Sequence, residues 1–407
     1  NTFVTEGFLQ YKLTSADGGY NMSEFKDISK SSTPNDEILA YSVEIPKGKT
    51  HSYSVEFKYI NSTNDQSEDM GKTLSGTLYI EKGTEKPLAL AEKLLSDNPT
   101  IETRTDFNTL FIETNTGTLY KGAESIAGST PKDVYYFAGN ATNNWVKFAG
   151  FYWRIIRTNH DGSVKLLYSG TSPDTTSGHI GTSEFNSAKE NQMYVGYMYG
   201  TSGSLASNRD NTTDSTIKAK IDNWYNNNLS SYSKYISTEA VYCNDRTEAT
   251  EGTYNTGSTR FDYAPFGRLY TNKTPTYNCT NNKDAFSGSN NEAKLTYPIG
   301  LMTADEIVYA GGKVNTSSSR KAWYYLNSAG GSITGNTSWW SLSPSLWSYY
   351  SFVWSVYGSS SPGSLDSITV DNLNGVRPAV SLKACVQWKS GDGSANNPYE
   401  IVENGGC

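Results

Sequence analysis

Residues 338–364, SWWSLSPSLWSYYSFVWSVYGSSSPGS, carry no charged side chain. Eleven of these 27 residues are serine and eight are aromatic. A run of this kind leaves the chain two outcomes. Its aromatics enter a core, or they form a surface that holds a partner. Crossing a bilayer is not a third outcome. A membrane helix needs about 20 consecutive apolar residues, and no stretch of the chain approaches that.

The remaining composition favours a folded, aromatic-rich protein. The 407 residues include 30 Tyr, 14 Phe and 9 Trp, far from the profile of a disordered chain. Length allows two or three domains. Acidic residues outnumber basic ones by 41 to 34, giving a net charge of −7. That balance excludes a nucleic-acid binder that works by neutralising phosphates. No dense Lys/Arg run exists to hold an anionic membrane surface. Abundant Tyr, Ser, Thr, Gly and Asn read as an extracellular β-rich protein. Asn1 in place of Met reads as a processed terminus from which a signal peptide has gone.

Four cysteines are present: Cys243, Cys279, Cys385 and Cys407. None forms a C-x-x-C pair, so zinc and thioredoxin-like chemistry are disfavoured. An even count in an extracellular-looking chain predicts two disulfides. Of the three connectivities, the sequence-local one is preferred: Cys243–Cys279 and Cys385–Cys407. Each bridge closes a loop worth roughly 3–4 kcal/mol.

The pattern divides the chain into a small antiparallel β-sandwich-like domain over 1–83, a helical linker over 84–99 and an α+β domain over 100–407. In the first, HSYSVEFKYI alternates Tyr53, Val55, Phe57 and Tyr59 with polar residues. YSVEI (41–45) and LSGTLYI (74–80) alternate likewise, so all three are predicted strands. In the linker, Thr84 is the expected N-cap and Pro87 sits in the first turn. In the third, residues 133–170 predict three strands, with a hairpin turn at Asp161-Gly162. DSTIKAKIDNWYNNNL predicts a helix with Ile217, Ile221, Trp224 and Tyr225 on one side. TADEIVYAGG predicts another, capped by Thr303 with Glu306 three residues on.

Catalytic patterns are missing. His51, His160 and His179 are far apart in sequence, and His160 reads as a solvated turn residue. No metal-ligand spacing, nucleophile elbow or phosphate loop occurs. Asp305 and Glu306 read as favourable charges at a helix start. GDGSANNP (391–398) reads as a turn rather than a calcium loop. No cofactor and no metal are expected.

The charge-free run continues with a restricted residue set. Residues 341–376 contain no Lys, Glu, Gln or Met. Apart from tryptophan, every residue type present can arise by replacing the adenines of an AAC or AAT codon. Trp347 and Trp354 cannot, and belong to a fixed frame.

Five segments carry a family resemblance: NWVKFAGFYWRIIRT, YPIGLMTADEIVYAGG, AWYYLNS, WWSLSP, and GVRPAVSLK followed by GDGSANNPYEI. In this order, across residues 97–407, they resemble the variable proteins of diversity-generating retroelements of gut Gram-positive bacteria. The resemblance implies a C-type-lectin-like domain with long loops, related to the formylglycine-generating-enzyme fold. It also implies a ligand-binding face diversified by an adenine-mutating reverse transcriptase. The oxidases of the wider fold use active-site cysteines; here the four cysteines read as structural, so no enzyme activity is carried over. Separately, FKYINSTNDQSEDMGKTLSGTLYI (57–80) resembles β-sandwich fibre proteins of Gram-positive biofilms, of the camelysin type.

The face is expected over about 341–374. Its expected ligand contacts are Ser345, Leu346, Ser348, Tyr349, Tyr350, Phe352, Tyr357, Ser359, Ser360, Ser361, Ser364, Asp366, Ser367, Ile368 and Leu373. Trp339, Trp340, Pro344, Gly375, Arg377 and Pro378 are expected scaffold. Tyr and Ser suit such a face: the one gives contact area at low entropic cost, the other adaptable hydrogen bonding. The expected ligand is a protein, with a glycan as the alternative. The alternative functions are a fibre or pilus-associated adhesin subunit, with partners through the N-terminal domain, and a formylglycine-generating-type enzyme.

Overall fold

The computed structural model describes residues 3, 8–28, 39–40, 43, 45–46, 48–62, 65–79, 88–109, 117–250, 252–316 and 322–402. The chain divides into two compact units, Asn1–Pro87 and Leu88–Cys407.

In the first unit, Leu9–Ser15 (β1) pairs antiparallel with Lys26–Asp27 (β2) and with Tyr53–Tyr59 (β3). Leu9 lies opposite Tyr59 and Ser15 opposite Tyr53. Alternation fixes the buried face of β1, which is Leu9, Tyr11 and Leu13. The predicted β3 is present, but its Phe57 is exposed. Residues 74–79 are not a strand: Leu74, Leu78 and Tyr79 are exposed and no described strand pairs with them. Gly76 adds no side chain to pack at their middle. Most of the predicted strand over 41–45 lies outside the described residues; Val43 and Ile45 belong to no strand. The described residues thus make one three-stranded antiparallel sheet rather than a sandwich.

The second unit is α+β, built mainly of sheet. Its first element is the helix Leu90–Asp97 (α1). Thr84 and Pro87, the expected start, lie outside the described residues. Instead the Glu92 carboxylate accepts from the Ala89 N–H at 2.9 Å. Leu90 and Leu94 are buried in the core of this unit, and the Leu90 N–H donates to the Val386 carbonyl. The helix is part of the larger unit rather than a free linker.

Six strands of the main sheet come first in the chain: Ile101–Thr103 (β4), Thr118–Glu124 (β5), Lys132–Ala138 (β6), Trp145–Phe148 (β7), Phe151–Thr158 (β8) and Val164–Tyr168 (β9); β4, β5, β6, β8 and β9 are successive neighbours, and β7 pairs with β8 off that path. Residues 133–170 therefore hold four strands, not three. The additional turn is Ala149-Gly150, both at positive φ, which lets β7 and β8 meet in two residues. The Asp161-Gly162 turn is as expected, with Gly162 at φ +80°. Thr182–Ser183 (β10) follows. The helix Thr216–Asn228 (α2) buries Ile217, Ile221 and Tyr225, with the Ser215 hydroxyl accepting from the Lys218 N–H at its start. Phe261–Asp262 (β11) and Ile299–Leu301 (β12) precede the helix Ala304–Tyr309 (α3). Thr303 and Glu306 cap α3 reciprocally, as their spacing predicts.

The charge-free segment builds a second sheet. Trp339–Ser348 (β13), Tyr350–Val356 (β14) and Leu365–Thr369 (β15) form an antiparallel meander. Asn374–Gly375 (β16) and β10 extend it past β13, and β11 pairs with β13. Pro378–Leu382 (β17) then returns to the main sheet beside β9 and β12. Trp388–Ser390 (β18) and Tyr399–Ile401 (β19) complete it against β7. One core serves both sheets, and Trp153, Trp323, Trp339, Trp340 and Trp354 are all fully buried in it.

Cys243 and Cys279 form a disulfide. Cys385 is disulfide-bonded too; its expected partner Cys407 lies outside the described residues. No helix among the described residues is long and apolar enough to cross a membrane.

Candidate functional site

The meander β13–β14–β15 turns the charge-free segment into a surface with a buried frame. Trp339, Trp340, Pro344, Gly375, Arg377 and Pro378 are all buried. The Trp340 indole N–H donates to the Ser183 carbonyl at 2.8 Å. Arg377 donates to the carbonyls of Tyr168 and Tyr324 and to the Ser169 hydroxyl. Burial pushes its guanidinium down to about 9. Trp347, set apart by its codon, donates to the Gly257 carbonyl at 2.6 Å and so ties the 252–262 loop to β13.

Register sorts the expected contacts. Phe352 lies opposite Thr369, Trp354 opposite Ser367, and Ser355 opposite Asp366. Directly opposed residues share a face. Tyr350, Phe352, Thr369 and Ser367 therefore lie on one face, whose Trp354 end is covered. Phe266 stacks on Trp354, with centroids 5.7 Å apart, and Tyr270 stacks on Phe266 at 4.9 Å. Asp366 and Ile368 belong to the opposite, half-buried face. Burial raises the pKa of the Asp366 carboxyl, and with Asp366 it raises that of the Tyr357 phenol.

Exposure concentrates at the two ends of this hairpin. Ser348, Tyr349 and Tyr350 form one end; Ser359, Ser360 and Ser361 follow the other. Tyr349 is 66% exposed and Leu373 69%.

Three expected contacts are not on the surface. Ser345 is buried under β15, where its hydroxyl meets that of Ser367. Leu346 is buried opposite Asp262 of β11. Ser364 is buried in the turn that joins β14 to β15, its carbonyl accepting from the Tyr357 N–H. Serine is small and self-satisfying, so its presence in a strand does not say which way it points. Gly358, whose codon could also derive from Asn, is a frame position: a Cβ there would lie 2.2 Å from the Asn336 carbonyl oxygen.

Residues outside the segment complete the site. The Lys189 ammonium lies 4.7 Å from the Tyr350 ring centre and 2.6 Å from the Asp371 carboxylate. The Arg260 guanidinium lies 4.9 Å from the Phe266 ring centre. Nothing in their local sequence marks Lys189, Arg260, Phe266 or Tyr270; only tertiary pairing brings them to the face.

A buried ion network supports the frame from behind. Arg157 joins Glu124 at 2.7 Å and Glu306 at 2.8 Å, and Lys165 joins Glu306 at 2.7 Å. Burial alone would raise the Glu124 carboxyl, but Arg157 and His160 outweigh it and hold it at about 2. His160 is thus not simply solvated: its Nδ1 lies 3.1 Å from Glu124. Asp305 accepts from Arg268 at 2.7 Å, so the Asp305-Glu306 pair does more than complement a helix start. A cavity of about 20 Å³, the size of one water, lies among these groups. The network fixes α3, whose Ala304 N–H donates to the Ser343 hydroxyl of β13. Among the described residues, no group of three or more His, Cys, Asp or Glu is placed to hold a metal ion.

Neither family models, nor curated proteins, nor solved structures match this chain.

Proposed function

We propose that the protein is a secreted or surface-displayed binder whose C-type-lectin-like domain carries a hypervariable face over about 341–374, diversified by adenine-directed retroelement mutagenesis. The observation that carries this reading is the coincidence of residue menu and position. Tryptophans that adenine replacement cannot generate lie buried as frame, at Trp347 and Trp354. Residues that it can generate occupy the exposed ends, at Tyr349, Tyr350, Ser359 and Ser360. A rigid scaffold with interchangeable surface residues suits recognition of changing ligands. Its ligands are proteins, because a neutral Tyr/Ser surface matches protein surfaces better than phosphates or charged polymers. The reading is of a binder rather than of an enzyme of the formylglycine-generating type.

The test is the native locus. A nearby reverse transcriptase and a near-copy of codons 338–380 differing only at adenines are expected. Absence of both overturns the proposal.

A second role has its own support. The outer edge of β3 pairs with no described strand, and its Phe57 is exposed, so the first unit offers an edge for fibre or pilus assembly. Concentration-dependent polymers of the full chain, lost on Val55→Pro, are expected; a monomer at all concentrations ends this role.

A further inference from the structure

The face has two exposed ends, and they differ in kind. The Ser359–Ser361 end offers small hydroxyls. The other end offers Tyr349, 66% exposed, and Tyr350, 40% exposed. Tyr350 and Asp371 meet through Lys189. Tyr349 is the single residue between β13 and β14, with Ser348 paired to Tyr350 across it. Its φ of +59° is the left-handed region, which a bulky side chain rarely adopts. The backbone therefore turns outward at a large aromatic ring. This corner projects: Tyr349 stands at the one-residue turn of the hairpin with two thirds of its surface in solvent.

We infer that this corner is the anchor end of the face, and that it enters a concave apolar site on a folded protein. The inference rests on the binding function proposed above and adds which end binds and the shape of the partner. Small molecules and short glycans are taken up in concavities, and a convex corner offers none. Aromatic anchors that fill a partner's pocket carry most of the affinity in protein interfaces. The charge at the corner is internally balanced, because Lys189 is paired with Asp371 at 2.6 Å. A strongly acidic or basic partner surface would gain nothing there. Lys189 is a positioning residue: its ammonium holds the Tyr350 ring, while its carbonyl accepts from the Ser351 N–H at 2.9 Å. Both contacts limit the freedom that Tyr350 would lose on binding.

The test displays the full chain in two libraries, one randomised at 348, 349 and 350, the other at 359, 360 and 361. Both are selected on calcium-loaded calmodulin, whose apolar cleft is open, and counter-screened on calcium-free calmodulin and on dextran. Clones are expected from the first library, with an aromatic residue at 349 or 350. They should prefer the open cleft by roughly tenfold or more, and lose at least that on alanine substitution of the aromatic. In clones that keep Tyr350, Lys189→Met should weaken binding severalfold and Lys189→Arg should restore it. In clones with no aromatic at 350, Lys189→Met should change nothing. Binders from the second library alone, binders that prefer dextran, or no binders from either library overturn the inference. So does an equal effect of Lys189→Met in both classes of clone. The locus test of the preceding subsection is independent, so the two can fail separately.

Discussion

The Arg377 guanidinium lies 4.8 Å from the ring centre of Trp339, fully inside the protein. Its hydrogen bonds go to two carbonyls and one hydroxyl rather than to a carboxylate. A buried cation held this way depends on every bond it makes. Arg377 thereby links β9, the 322–326 turn and the first strand of the face. Arg377→Ala should destabilise the larger unit by about 3–5 kcal/mol, read as a lower urea midpoint. Arg377→Lys should recover little, because one ammonium cannot reproduce a planar fork.

The ion network behind α3 predicts a pH dependence. Glu124 is held at about 2 in the folded protein, below its ordinary value of 4.5. A depressed carboxyl adds stability that is present above the unfolded value and is lost as pH falls through the folded one. Stability should therefore fall between about pH 4.5 and pH 2, by on the order of 3 kcal/mol for this group alone, read as a falling thermal midpoint. Glu124→Gln should flatten that segment of the curve while lowering stability at pH 7, because Arg157 then loses one of its two carboxylates.

The local features were legible in the sequence, and the long-range ones were not. The Thr303–Glu306 cap, the Ile217/Ile221/Tyr225 stripe and the Asp161-Gly162 turn depend on neighbours within a few residues, and each can be read from spacing. The Cys243–Cys279 disulfide needed only a small pairing choice. By contrast, Arg157 and Glu306 are 149 residues apart, and a lone Arg or Glu gives no sign of burial. Strand polarity failed where the residue type is ambivalent. Ser345 and Ser360 look alike in sequence, yet one is buried under β15 and the other exposed. The expected strand over 74–80 shows the reverse error: alternation was present, but no strand among the described residues lies beside 74–79 to pair with them.

That difference between serines predicts which positions tolerate change. Ser345→Tyr forces a large ring beneath Ser367 and should cost about 3 kcal/mol, near the upper end for overpacking. Ser360→Tyr adds the same ring in solvent and should stay within about 0.5 kcal/mol of the parent. Paired denaturation curves of the two variants give the comparison. Equal tolerance at both sites would mean that β15 does not cover Ser345 as described.

Tyr349 gives the opposite sign. Its left-handed φ of +59° suits Asn and Gly better than a bulky ring. At 66% exposure the ring buries little to offset that strain. Tyr349→Asn should therefore stabilise the fold by about 0.5–1 kcal/mol. Asn is also the residue that an AAC or AAT codon specifies before its adenines are replaced, so the substitution restores the codon's starting amino acid under the proposed function. Tyr350→Asn is the control, since Tyr350 has no such backbone strain and lies under Lys189 at 4.7 Å. It should destabilise by roughly 0.5 kcal/mol through loss of the cation–π contact. Calorimetric midpoints moving apart in these directions mark Tyr349 as a residue held for contact at a cost to the fold; a lower midpoint for Tyr349→Asn would mark it as a structural residue instead.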